Sequence, residues 1–268
     1  MTSFFNHVYV LPGRPLIEEE INRLRDHLLQ AVFEYDELIY KDCLHLNHQF
    51  FFRLGEDYLA LIEAHYQAKF LEEELILIQK YGDDLETLAK AKKKIDERLK
   101  SYRYFILQVQ DQIAEAEAWA YQEELPLETS RMMRRYYREI LAKVHPLLHP
   151  VQSQAQKALY QKALSAYRRE NIEVLDLLWE SLKEDYLQDK TRKRLTEMVD
   201  LRRSLLLGLY KTRWLLALVR SDFPYRIRYH VLVDEHCEKM RQGFIERRKA
   251  LEEKIKHLDQ KIQGFESL

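Results

Sequence analysis

Arg131-Met132-Met133-Arg134-Arg135-Tyr136-Tyr137-Arg138-Glu139-Ile140-Leu141-Ala142-Lys143-Val144, running directly into His145-Pro146-Leu147, is the stretch on which the fold turns. Met133, Tyr137, Ile140 and Val144 recur at helical spacing, so one face of this short helix is apolar and has to be covered. Arg131, Arg134, Arg135, Arg138 and Lys143 fall off that face, and the spacing predicts that they are left largely toward solvent. A proline-containing loop then runs to about Gln154. From Ala155 to about Arg169 a second helix places Tyr160, Ala163 and Tyr167 on one face. Two helices with facing apolar stripes and small alanines between them predict an antiparallel hairpin that buries both.

Outward from this module, the chain reads as long helices. Pro15 suits a first helical turn, and Ile17, Ile21, Leu24, Leu28, Ala31, Tyr35 and Leu38 keep a four-three heptad spacing. The seam breaks around Lys41 to Gly55 and resumes in a new register at Leu54, Leu61, Ala64, Ala68, Leu71, Leu75 and Ile78. Tyr81-Gly82-Asp83-Asp84 is a stop and restart, with Gly as a left-handed C-cap and Asp as an N-cap. Leu88, Ile95, Leu99, Tyr102, Ile106, Val109, Ile113, Ala116 and Ala120 then take up the heptad again. This pattern predicts an antiparallel coiled-coil hairpin over roughly 56–122.

Leu125-Pro126-Leu127 ends that arm, and Glu128-Thr129-Ser130 offers caps to the central helix. Beyond the module, Asn171 is expected to cap a helix carrying Ile172, Leu175, Leu178, Trp179 and Leu182. A helix over about 188–220 has a broad apolar face (Leu195, Met198, Val199, Leu205, Leu206, Leu209, Leu216, Val219), which implies more than one neighbour. Ser221-Asp222-Phe223-Pro224 breaks it. Tyr225, Ile227, Tyr229, Val231 and Val233 alternate with polar residues, so 225–233 is open between helix and a short extended segment, with residues 7–10 as the strand partner. Phe244, Leu251, Ile255, Leu258, Ile262 and Phe265 form a last heptad seam. The expected chain is mainly α, in three consecutive parts: a lead-in and coiled-coil arm over 1–124, the central module over 125–185, and a C-terminal helical arm over 186–268.

Composition narrows the function classes. Of 268 residues 32% are charged, yet the formal net charge is −1, which gives no global pull toward nucleic acid or membrane. The basic clusters Lys190–Arg194, Arg202-Arg203 and Arg247–Lys249 are interleaved with acids and read as salt-bridged helix surface. Six glycines leave little scope for a phosphate cradle, and no GxSxG or convincing Cys-His pair is present. His45, His48, His145 and His149 lack the further ligands that a metal requires, so neither a metal nor another cofactor is expected. Cys43 and Cys237 read as two reduced thiols. Met1-Thr-Ser-Phe-Phe-Asn-His lacks the basic and apolar regions of a leader, and the apolar run from Leu205 to Val219 is interrupted by Lys211 and Arg213. A cytoplasmic, non-enzymatic protein is the expectation.

The segment Tyr137 to Pro146 resembles helix II of a J domain, in which Tyr-Arg and an apolar and basic mix run into His-Pro-Asp. Tyr160, Ala163, Ala166 and Tyr167 are similar to the aromatic, apolar and Ala-Tyr positions of that family's helix III. The placement behind a long coiled coil is similar to a group of bacterial J-like proteins. The resemblance implies a helical hairpin whose basic helix faces an acidic surface on an Hsp70-type chaperone. His145-Pro146-Leu147 departs from it, because position 147 holds Leu where the family holds the carboxylate that triggers ATP hydrolysis. The family's helix I is also not recognisable before Thr129.

Two functions stay open. One is a J-like adaptor on an Hsp70-type chaperone or on a true J protein, unable to stimulate the Hsp70 ATPase. The other is a structural coiled-coil scaffold that organises a homo-oligomer or a protein partner, with the hairpin as a folded spacer.

Overall fold

A computed structural model describes residues 13–81, 93–95, 97–123, 125–183 and 194–266. Among them the chain is helical and holds no strand: α1 (Arg14–Glu37), a π turn (Leu38–Asp42), α2 (Cys43–Tyr81), α3 (Lys100–Ala120), α4 (Leu127–Val144), α5 (Gln154–Arg168), α6 (Ile172–Lys183), α7 (Leu195–Ser221), a 3-10 turn (Tyr225–Ile227), α8 (Arg228–Leu232) and α9 (Asp234–Glu266). The mainly α expectation holds. No helix of the described residues is long and apolar enough to cross a membrane.

The chain divides into two compact units, each assembled from separated segments: 1–42 with 124–222, and 43–123 with 223–268. They do not follow the three consecutive parts expected from sequence. Heptad patterning fixes which face of a helix is buried, not which helix covers it.

In the first unit α1 packs along α7, while α4, α5 and α6 pack on one another and α1 also touches α4. Ile17, Ile21, Leu28, Ala31 and Leu38 of the first seam are buried. At Gly208 the backbone of α7 comes close enough that an added Cβ would lie 3.3 Å from Leu28 Cδ2. The break in the heptad near Lys41 has a local cause. Leu38–Asp42 is a π turn, whose extra residue rotates the apolar face. Its side chains reach α5: Lys41 pairs with Glu170, and the Arg168 guanidinium lies 4.8 Å from the Tyr40 ring centre.

In the second unit α2 is the central rod. The pairs Asn47–Gln112, His65–Tyr102 and Glu73–Arg98 run in opposite sequence directions, so α3 is antiparallel to α2, as the hairpin pattern predicts. The connecting turn at Gly82-Asp83-Asp84 lies outside the described residues. The seam carries a second partner as well. Ala64 and Ala68 pack with Ile255, and Leu75 and Ile78 with Leu258 and Ile262, so α9 lies parallel along α2.

Segment 225–232 is helical and only Val233, at its C-cap, has extended backbone angles, so no strand forms there. Of its alternating apolar residues only Val231 is buried. The Arg228 guanidinium instead lies 4.5 Å from the Tyr225 ring and 4.4 Å from the Tyr229 ring, an arrangement that helical spacing supplies and a strand does not. Residues 7–10 lie outside the described residues. Both cysteines are free thiols.

Candidate functional site

The hairpin is built from α4 and α5. Its first helix begins at Leu127 behind Pro126, so Glu128, Thr129 and Ser130 lie inside it rather than capping it. The second is closed by a reciprocal capping box, in which Ser153 Oγ accepts from the Gln156 N–H at 3.2 Å and Gln156 Oε1 accepts from the Ser153 N–H at 2.8 Å. Asn171 caps α6 through a 3.0 Å bond from the Val174 N–H.

Met133, Tyr137, Ile140, Val144, Ala163 and Tyr167 are all buried, and Tyr160 is half-buried at the rim. The Tyr137 and Tyr167 rings stack with centroids 4.0 Å apart and planes within 4°. Three more buried residues of this core, Tyr136, Leu141 and Leu148, were missed by the stripe at i, i+4, i+7. Tyr136 stacks on Trp179 of α6 at 4.5 Å, so α4 buries two faces instead of one. A second aromatic at 136 was the available signal.

A buried carboxylate anchors the hairpin from outside. The Tyr137 hydroxyl donates to Asp36 Oδ2 of α1 at 2.7 Å. Burial pushes the Asp36 carboxyl up to about 6, against the lowering effect of the Tyr137 hydrogen bond. It also drives the Tyr137 phenol far above its ordinary range, with the neighbouring Asp36 charge acting in the same direction. Both groups therefore stay protonated in mildly acidic solution.

The loop after α4 satisfies the helix's terminal carbonyls from its own backbone and side chains. The His145 N–H donates to the Leu141 carbonyl at 2.9 Å, His149 Nε2 to that of Ala142 at 2.7 Å, and Gln152 Nε2 to that of Val144 at 2.7 Å. His145 is buried with its ring edge-on to Tyr160 at 5.0 Å. Its Nδ1 accepts from the Leu147 N–H at 3.2 Å. Burial, reinforced by repulsion from His149, lowers the His145 imidazole to about 4, so it is neutral near pH 7. Pro146 is exposed. Leu147 is half-buried, with its Cβ 3.7 Å from where a side chain on Gly208 would begin, so the turn packs on α7.

The five basic residues are not equivalent. Arg131, Arg134, Arg135 and Arg138 are exposed. Arg131 pairs with Glu128 at 3.0 Å, Arg134 with Glu37, and Arg135 with Glu139 at 3.1 Å. Arg138 has no ion pair among the described residues. Lys143 departs from the expected solvent face: its ammonium donates to the Leu182 carbonyl at the end of α6, where the helix dipole favours a cation. The arrangement offers an exposed cationic strip beside a neutral, apolar turn. It offers no nucleophile–base pair, and among the described residues no group of three or more His, Cys, Asp or Glu is placed to hold a metal ion. Comparison of the chain with protein-family models, curated proteins and solved structures returns no match.

Proposed function

We propose that this chain is a non-enzymatic, J-like adaptor whose α4–α5 hairpin presents Arg131, Arg135 and Arg138 to an acidic surface of an Hsp70-type chaperone or a J protein, without stimulating the Hsp70 ATPase. The observation that carries this reading is Leu147. At the turn where the resembled family places a carboxylate, an apolar side chain rests against Gly208, and its neighbour His145 is buried and neutral. Such a turn offers a partner no carboxylate, whereas the arginine strip keeps a charge that steers association. A steady-state Hsp70 ATPase assay with wild type and Leu147→Asp tests it. Wild type is expected to leave the rate unchanged, and clear stimulation by wild type would refute the proposal.

A second reading, the scaffold, is favoured by a separate observation. Leu207, Tyr210, Trp214 and Leu218 stand exposed at three-four-four spacing along α7. Under this reading the stripe joins copies of the chain. Light scattering over a concentration series decides between the two, since a strictly monomeric mass at high concentration removes self-assembly.

A further inference from the structure

The second unit contains a cleft that the adaptor reading does not use. α3 and α9 both pack on α2, and near the first turns of α2 they leave a cavity of about 720 Å³, to whose lining Phe223 and Ile227 also contribute. Phe50, Phe51 and Tyr58 come from α2, Tyr104 and Phe105 from α3, and Phe244 from α9. The rings are fixed by one another. Phe50 meets Phe51, Tyr58 and Phe223 edge-on at 5.1, 5.5 and 5.3 Å, and Tyr58 lies 5.5 Å from Phe244. The volume falls within the roughly 300–1,000 Å³ of ordinary small-molecule sites.

Charge selects the occupant. Asp111 and Glu115 stand on the α3 side of the cavity, and no Lys or Arg is among the residues lining it. Asn47 and Gln112 bond to each other at 2.6 Å, and Gln112 also donates to Glu115 at 2.9 Å, which orients that carboxylate. Aromatic faces carry negative quadrupole potential and attract an ammonium group, an effect that neighbouring carboxylates reinforce. An anionic ligand would meet two like charges. A neutral one would use the rings and leave the carboxylates without a role.

We propose that this cleft binds a small organic cation, an ammonium head beside Asp111 and Glu115 with an aromatic or alkyl body among Phe50, Tyr58 and Phe105. The test uses three probes of one shape on the full chain, followed by calorimetry or saturation-transfer NMR: 2-phenylethylammonium, 2-phenylethanol and 3-phenylpropanoate. The ammonium is expected to bind about fivefold or more tighter than the alcohol, and the carboxylate not measurably. Asp111→Asn with Glu115→Gln, both at exposed positions, should bring ammonium and alcohol to within about twofold. Phe105→Ala should weaken both by about threefold or more, with circular dichroism unchanged. Equal affinity for ammonium and alcohol in the wild type, binding of the carboxylate, or failure of all three at about 10 mM would each overturn the proposal. So would a concentration-dependent association that Phe105→Ala abolishes, since the cleft would then be an interface between copies of the chain.

Discussion

The α4–α5 hairpin and the α2–α3–α9 layer are both built from amphipathic helices, but they fix their register by different means. In the layer, small residues set the approach: Gly55, Ala64, Ala68 and Ala116 are buried, and beyond the Phe50–Phe51 cluster near the start of α2 the seam toward α9 is aliphatic. In the hairpin the core is aromatic and partly polar. Tyr137 stacks on Tyr167 and donates to a buried carboxylate, while a buried imidazole closes the turn. A small-residue seam tolerates sliding by a turn, because one aliphatic contact replaces another. A buried hydroxyl–carboxylate pair does not, because a shifted register leaves both groups unsatisfied. The hairpin is thus the more tightly specified of the two and the more sensitive to single atoms.

The largest effect should come from Tyr137. Its replacement by Ala removes a fully buried ring, the stacking on Tyr167 and the hydroxyl that donates to Asp36, so we expect a loss of about 4 kcal/mol in urea unfolding. Tyr137→Phe keeps the ring and strips only the hydroxyl, and should cost about 2 kcal/mol. If the Phe variant matched wild type, the polar anchor would carry no specificity and the contrast between the two regions would collapse to one of packing alone.

The pH dependence sharpens the same contrast, with effects on the order of 3 kcal/mol. Asp36 is raised from 3.8 to about 6, so its contribution is fully present below pH 3.8 and is lost as pH rises through 6. His145 is lowered from 6.5 to about 4, so its contribution is present above pH 6.5 and is lost as pH falls through 4. Between pH 4 and 6 the two slopes oppose, and each conceals the other. Relative to wild type, Asp36→Asn should gain stability as pH rises from 4 to 6, and His145→Asn should lose it over the same window. Urea midpoints at several pH values measure this, and variant curves parallel to wild type would mean that neither group is held as the geometry implies.

How much of this was legible follows the same division. Repeating apolar spacing identified the helices, and the seam positions of α1 and α9 are largely the buried ones, because periodicity reports a face directly. The partner of that face has no sequence signal, which is why α9 along α2 and α7 along α1 were not anticipated. Cap chemistry was readable at Asn171, where a side chain decides, and misleading at Glu128–Ser130, where Pro126 begins the helix regardless. The aromatics of 225–233 mimicked a strand because alternation over so few residues also fits rings clasped around Arg228. In the candidate site the stripe of Met133, Tyr137, Ile140 and Val144 was legible. Asp36 was not, since a carboxylate one place past Tyr35 reads as helix surface until a hydroxyl from a distant helix is set against it. Lys143 likewise read as solvent-facing until α6 placed a carbonyl beside it.

The smallest effects test the layer, and they turn on space rather than charge. A Cβ added at Gly55 would lie 2.6 Å from Ile113 Cγ1, an atom one bond from the Cβ of a β-branched side chain whose rotation is restricted in a helix. At Gly243 on α9 nothing lies within 4 Å. Both are helix-interior positions, so Ala gains about 1 kcal/mol of helix propensity at each. At Gly243 that gain should appear in full as added stability. At Gly55 overpacking of about 2 kcal/mol should outweigh it and leave a net loss near 1 kcal/mol. Ile113→Ala removes the obstructing carbons, so the loss from Gly55→Ala should vanish in that background even though Ile113→Ala is itself destabilising. A double-mutant cycle with coupling of about 1 kcal/mol or more would establish the crossing at Gly55 as the feature that sets the α2–α3 register. Additive effects would mean that α3 simply shifts along α2 to make room, the half-buried Asn47–Gln112 bond notwithstanding.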